Sequence, residues 1–373
     1  MSNYKVELID SSDSFLCKKD EWIRFENSIK DVQIFSSYLF LFDFWMVFKD
    51  LKDHKFGHKK EIKILFLYES DTLKAIMPLC LIWRRRKKVV NVKYLEFLGQ
   101  QFFTSYMDII SGGLTNDAFL FLMRWINENI SFDIFNLELL THHSNFYKLC
   151  EKTHLYAYNY SPEINISGYD SCEQFKTLKL SGNYRGMINN SYNKLKKDNI
   201  KVEVIWKEFE EPDLNTLDLL SGSKLKDGKY NIYDDEIKRE FVKRIYKLFN
   251  ANISYIKFND VYVSYQVYVY FRDQSMWFDI SFDRDYGKYR PGILQYDIGL
   301  KFSFDHKHSR NILGYGFDQN KLGISTDLFT LYNYIQKGKG IMSNKWYKQK
   351  VRAAAMGERQ FLEQARSNGE RHE

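Results

Sequence analysis

The sequence predicts an α/β fold, mixed α+β, in two tandem halves. Each half carries a mixed, largely antiparallel sheet flanked by helices. Three observations predict it. Segments of strand period and of helix period alternate along most of the 373 residues, as layered sheet-and-helix domains require. Three consecutive strand segments, 253–258, 262–272 and 276–282, are joined by the hairpin-like Asn259-Asp260-Val261 and Asp273-Gln274-Ser275. The second half reads helix, strand, helix, three strands, helix, strand. The first gives a similar order of helices, hairpin, strand, helix, strand, with no residue-level repeat. The domain boundaries expected are 1–166 and 167–342, followed by a charged helical tail, 343–373, disordered from about Ser367.

In chain order, residues 1–55 read as an extended lead and then helices. Phe35-Ser36-Ser37-Tyr38 is a cap followed by an aromatic helix through Trp45 and Phe48. Residues 61–68 and 72–83 form a hairpin, and Pro78 within it suggests an edge strand or a bulge. Arg84-Arg85-Arg86-Lys87-Lys88 reads as a polar loop, either solvated or touching phosphate or a lipid headgroup. A short strand at 94–98, an amphipathic helix at 117–130 and a strand at 132–140 complete the sheet. In the second half, residues 182–197 form a basic helix. Between Lys179 and Lys201 six Lys/Arg stand against one acid, Asp198. Residues 234–249 form a strongly amphipathic helix. Residues 311–318 read as a strand and 327–337 as a helix.

The stretch from Met276 to Asp318 organises the second half. A strand ends at Phe282, a loop rich in Asp, Tyr and Gly follows, and Pro291-Gly292 opens an apolar helix with Ile293, Tyr296, Leu300 and Phe304 on one stripe. Pro suits the first helical position, where an N–H would have no partner. The helix start offers unpaired N–H groups and partial positive charge, which can seat an anion.

Composition narrows the classes. Hydrophobic residues make up 44% and aromatics 17%, enough for a sizeable core. A net charge of +7 allows an anionic ligand, nucleic acid or membrane surface without requiring one. Cys17, Cys80, Cys150 and Cys172 are widely spaced with no CxxC, so reduced thiols are expected and no metal site. Residues 32–48 are interrupted by Gln33, Ser36, Ser37 and Asp43 and fall short of a membrane span. A soluble, cytoplasmic protein is the expectation, with peripheral membrane contact open.

Four local features carry a family resemblance: Phe35-Ser36-Ser37 with the aromatic helix to Trp45; Ile76-Met77-Pro78-Leu79 with Leu98-Gly99 and Tyr106-Met107-Asp108; Ser181-Gly182-Asn183-Tyr184-Arg185 before a basic helix with Ser191-Tyr192-Asn193-Lys194-Leu195; and the segment from Tyr286 to Ile298 followed by Gly316-Phe317-Asp318. In this order the chain resembles the GNAT acyltransferase superfamily. Specifically, it resembles the double-domain branch of Fem-type aminoacyltransferases and cellulose-biosynthesis-type acetyltransferases. The resemblance covers roughly 20–340. It implies an N-acyltransferase that moves an acyl group from an activated thioester, acyl-CoA or an acyl carrier, to an amine on a sugar or cell-envelope polysaccharide precursor, without a metal. Where typical members carry a Gly-rich pyrophosphate loop, this chain reads Tyr289-Arg290-Pro291-Gly292-Ile293-Leu294. The donor therefore stays open between coenzyme A, a carrier and an aminoacyl-tRNA, and a non-catalytic binding protein on the same fold is the further alternative.

Acyl transfer to an amine needs a donor cradle, a proton acceptor and oxyanion stabilisation. The cradle expected is Arg290, Pro291, Gly292 and Ile293, with Arg290 as a charge clamp and Arg185 and Lys194 of the basic helix as further donor contacts; the alternatives are an ordinary cap and a solvated face. The expected base is Asp283, with Asp279 on the same face of the strand; the alternative for each is a satisfied structural carboxylate. Tyr286 or Tyr268 is the phenol expected at the leaving group. Asp108, Tyr106 and Tyr268 are the expected acceptor contacts, Asp108 facing a cleft between the halves.

Overall fold

The computed structural model describes residues 3–86, 90–102, 106–227, 231–316, 318–340 and 343–369. Lys87 and Lys88 of the basic run, Phe317 and residues 370–373 lie outside the described residues. The chain divides into two compact units, Met1–Asn159 with Thr330–Glu373, and Tyr160–Phe329. This division is drawn by packing, whereas the boundaries above follow element order.

The first unit opens with β1 (Tyr4–Ile9), α1 (Ser12–Cys17), α2 (Lys19–Asn27) and α3 (Tyr38–Phe48). The Ser37 hydroxyl accepts from the Phe40 N–H and so starts α3. Phe15 of α1, Trp22 of α2 and Tyr38 of α3 meet edge-on or tilted at 5.3–5.8 Å between ring centroids, so the three helices share an aromatic core. Then come β2 (Lys59–Glu69), β3 (Thr72–Arg86), β4 (Val90–Phe97), α4 (Asn116–Asn129), β5 (Ile134–Thr141) and α5 (Asn145–Leu149). β1 to β4 form an antiparallel meander. β4 and β5 run parallel but pair only at Tyr94↔Ile134 and Leu95↔Phe135, α4 being the crossover between them.

β6 (Leu155–Asn165) leads into the second unit, which continues α6 (Cys172–Lys179), α7 (Gly182–Lys197), β7 (Val202–Glu208), α8 (Asp213–Ser221), α9 (Glu236–Leu248), β8 (Asn252–Phe258), β9 (Val261–Phe271), β10 (Gln274–Phe282), α10 (Pro291–Asp305), β11 (Arg310–Ile312) and α11 (Gln319–Ile324). Its sheet order is β6-β11-β10-β9-β8-β7. The β8–β9 turn is Asn259-Asp260 with φ of +48° and +71°, the left-handed pair that a tight two-residue hairpin needs. β10 and β11 run parallel over three residue pairs, Gln274↔Arg310 to Met276↔Ile312. Finally β12 (Asp327–Lys337) and α12 (Ser343–Gly369) are built mainly into the first unit, where β12 pairs antiparallel with β5.

Four local expectations are corrected. Residues 327–337 are a strand, because pairing with β5 buries Leu331, Tyr334 and Ile335, an example of tertiary context overriding local pattern. The strand at 311–318 stops at Ile312, since Gly314 and Gly316 take φ of +70° and +124°. Pro78 sits in an interior strand. It is tolerated because pairing with β4 begins only at Leu79, and its carbonyl accepts from the Leu98 N–H. The run at Arg84 is not a loop: β3 continues to Arg86, and the partly buried Arg84 pairs with the buried Glu96.

Candidate functional site

The second unit builds its candidate site from β10, the 3-10 turn Arg284–Tyr289 and the start of α10. A bulge between Trp277 and Asp279 breaks the register of β10 against β9. Bulges re-aim side chains, and the two residues have separate surroundings. Trp277 packs on Tyr268 and Tyr296, with centroids 5.5 and 5.8 Å away, on the side that carries α10. Asp279 lies among the side chains of the 3-10 turn Gly222–Asp227, of β9 and of the segment before α9. It pairs with Lys224 at 2.5 Å and accepts from Tyr265 at 2.5 Å and Tyr233 at 3.1 Å, and Tyr233 in turn bonds Tyr246 at 2.9 Å. Burial and the nearby carboxylate hold the Tyr265 phenol far above its usual range.

The expected base residues are thus separated in role. Asp279 is a satisfied internal carboxylate. Asp283, where the strand has ended, caps the 3-10 turn by accepting from the Asp285 N–H at 3.0 Å. Asp279 and Asp283 share no strand face, because β10 ends at Phe282. Tyr286 lies half-buried against the Phe258 ring, 5.8 Å between centroids.

The helix start keeps the expected cradle residues together. Arg290 is exposed and left-handed, φ +55° and ψ +56°, which is strained for a residue with a side chain and is often tied to function. Its carbonyl accepts from the N–H groups of Ile293 and Leu294. Pro291 is the first helical residue. Gly292 is half-buried, and a Cβ there would lie 3.4 Å from the Phe282 ring, so the glycine also serves close packing of helix start on strand end. Lys194 of α7 stands 6.0 Å from the Tyr289 ring, next to Arg290 in the chain. Arg185 instead donates to the carbonyls of Lys176 and Thr177 near the end of α6. Tyr268 is fully buried beneath α10, donating to Gln266 at 3.1 Å.

The sequence reading missed a polar cluster on the flank of α10. Asp297 pairs with Lys176 of α6 at 2.6 Å, and the Tyr192 hydroxyl donates to its other oxygen at 3.2 Å. Burial lowers the affinity of Lys176 for its proton, but Asp297 more than offsets this and the group is held charged. Burial pushes the neighbouring Cys172 thiol up to about 11, so it is not a reactive thiolate. The Tyr184 hydroxyl is buried without a hydrogen-bond partner among the described residues. Burial, then the fields of Asp297 and Asp318, keep it protonated. The available signal was Asp297 itself, a carboxylate between the apolar stripes of a buried helix, which needs a cation.

In the first unit, Asp108 is a cap. Its carboxylate accepts from Asn145 at 2.5 Å and Phe146 at 2.9 Å, at the start of α5, and its own N–H donates to Ser36. Burial raises it to about 7 against those hydrogen bonds. Tyr106, φ +67°, is buried. Where β4 and β5 part, Glu96 and Asn136 follow the last paired residues. Arg84 binds Glu96 through two bonds of 2.5 and 2.8 Å, Gln101 donates to Glu96 at 2.7 Å, and Asn136 donates to Glu138, which pairs with Lys350 of α12 at 3.1 Å. Among the described residues no cluster of His, Cys, Asp and Glu could hold a metal ion, and no helix is long and apolar enough to cross a membrane.

No family model matches the sequence, and no curated protein matches it. Solved structures do. FemX is similar with a TM-score of 0.58 at 9% identity, over 92% of this chain and 99% of its own. A conserved protein of unknown function from Bacteroides thetaiotaomicron is similar with a TM-score of 0.51 at 10% identity, over 90% and 100%. A tandem GNAT protein from the clavulanic acid biosynthesis pathway reaches 0.48 at 5% identity, over 89% and 98%. The chain shares the fold of FemX, a mixed α/β architecture.

Proposed function

We propose that this protein is an N-acyltransferase, moving an acyl group from an activated thioester to an amine on a sugar or cell-envelope polysaccharide precursor. The amine nitrogen attacks the carbonyl carbon, the carbon–sulfur bond breaks, the thiol leaves and the nitrogen loses one proton. One observation carries the reading, on a fold shared with FemX: an exposed, left-handed Arg290 at the entrance of α10, beside the end of β10. The helix start favours a negative group, and the exposed Arg290 and Lys194 add positive charge for a donor phosphate. Pro291, Gly292 and Ile293 form the backbone of that cradle. Asp283, half-exposed beyond β10, is the proposed proton acceptor, with Tyr286 beside it in the same turn. Asp279 is assigned to holding β10 in place.

Thermal unfolding with acetyl-CoA, longer acyl-CoAs and free coenzyme A tests this. A donor at 100 times its dissociation constant stabilises by about 2.7 kcal/mol. The shift should vanish in Arg290→Glu, whose exposed site leaves folding intact. No shift with any of the three would reject a coenzyme A thioester as donor.

A second reading, transfer from an aminoacyl-tRNA, is favoured by the exposed Lys194, Lys196 and Lys197 of α7. It expects tRNA binding that weakens steeply with salt and is lost when these lysines become glutamine.

A further inference from the structure

α12 has two opposite faces. Trp346, Tyr347, Val351 and Ala354 pack into a core with β4, β5 and β12, and Lys350 and Glu358 face the same way, bonded to Glu138 and to the Ala157 N–H. At 100° per residue the diametrically opposite stripe is Lys345, Lys348, Arg352, Met356 and Arg359. All five are exposed, Met356 by 62%. None of the four cations has an ion-pair partner among the described residues. On α9, by contrast, Glu240 and Glu211 answer Lys243, Arg244 and Lys247. The stripe is about 21 Å long, from the rise of 1.5 Å per residue. Glu363 alone carries negative charge at its far end, beside the exposed Leu362.

We infer that this face of α12 docks the protein on an anionic lipid surface. Four unmatched cations in a line complement a negatively charged sheet of headgroups. A large apolar side chain at the middle of the stripe, with Leu362 at its end, is suited to entering the headgroup boundary, as in helices that lie in a membrane interface. A nucleic-acid backbone would use the cations and leave Met356 without a role. The inference concerns a surface of the first unit and is independent of the proposed transfer chemistry.

The test is cosedimentation of the full chain with sucrose-loaded vesicles, either pure phosphatidylcholine or with 30% phosphatidylglycerol by design, at low and high salt. Each basic residue near an anionic surface contributes about fivefold in partitioning. Binding to the anionic vesicles alone is expected, weakening with salt. The fourfold variant Lys345→Gln, Lys348→Gln, Arg352→Gln, Arg359→Gln should bind on the order of 600-fold less with an unchanged unfolding midpoint. Met356→Asp should weaken binding with the cations intact. No binding to anionic vesicles at low salt, or equal binding by the fourfold variant, overturns the inference. So does a tRNA bound through the same four cations by a protein that ignores vesicles.

Discussion

The two units meet the same structural demand in opposite ways. Each has a strand, a helix and a second strand whose parallel pairing is brief: two residue pairs between β4 and β5, three between β10 and β11. Where pairing stops, backbone groups lose their ladder partners and side chains must take over. The first unit uses charge. Glu96, only 2% exposed, is held by Arg84 and Gln101, and Asn136 and Glu138 extend the network to Lys350. The second unit uses aromatic packing under α10: Trp277 lies between Tyr268 and Tyr296 and donates to Asn311 at 3.4 Å, and Gly299 lets the helix approach. The first solution fills the divergence with fixed charges. The second leaves the exposed cations, Arg290 and Lys194, at the helix entrance, and the proposed donor site is placed there.

The largest expected effect breaks the charged solution. Arg84→Met strands a buried carboxylate and should cost about 3–5 kcal/mol in urea unfolding. The double variant Arg84→Met, Glu96→Leu should recover most of it, since apolar replacement of a buried pair is often neutral. Trp277→Ala should cost a similar 3–5 kcal/mol by cavity formation, and no partner substitution should rescue it. If both losses were rescued alike, the distinction between the units would fail.

Gly299→Ala comes next. Its Cβ would sit 2.5 Å from the Tyr268 hydroxyl and 3.0 Å from the Trp277 ring, so about 1–3 kcal/mol should be lost by overpacking, seen as a lower unfolding midpoint. Tyr265→Phe removes one hydrogen bond to Asp279 and should cost about 1.5–3 kcal/mol, while leaving transfer activity within a few-fold because Asp279 is assigned no proton transfer. A complete loss of activity with the fold intact would return Asp279 to the reaction.

The smallest effect is one of pH. Asp108 ordinarily loses its proton near 3.8, and burial raises it to about 7 in the folded chain. The folded state therefore keeps a proton that the unfolded state releases. This contribution to stability is complete below pH 3.8 and is lost as pH rises through 7. Asp108→Asn should flatten the stability–pH curve between pH 4 and 8; an unchanged slope would contradict the assignment.

Much of the fold was legible because it lies in periodicity and caps. Ser37, Thr115, Ser144 and Ser181 each accept a hydrogen bond from an N–H in the first turn of a helix, and Asn259-Asp260 marked its hairpin. β12 was not legible, since the partner that makes it a strand, β5, lies some 190 residues away in the chain. Arg84 looked like the start of a loop because its neutraliser, Glu96, is on the next strand. The candidate site was legible as a segment but not as chemistry. Spacing placed Asp279 and Asp283 together, and only the bulge at Trp277 and the end of β10 at Phe282 separate their roles. The Lys176–Asp297 pair joins α6 to α10, a contact that no local window contains.

The most direct test of the central claim is hydrogen exchange of the full chain with and without saturating acetyl-CoA. The account predicts slowed exchange in residues 284–294, the turn and the start of α10, with residues 94–97 and 134–138 of the first unit unchanged. Protection at the Glu96–Asn136 network, with none at the start of α10, would contradict it and move the donor to the first unit.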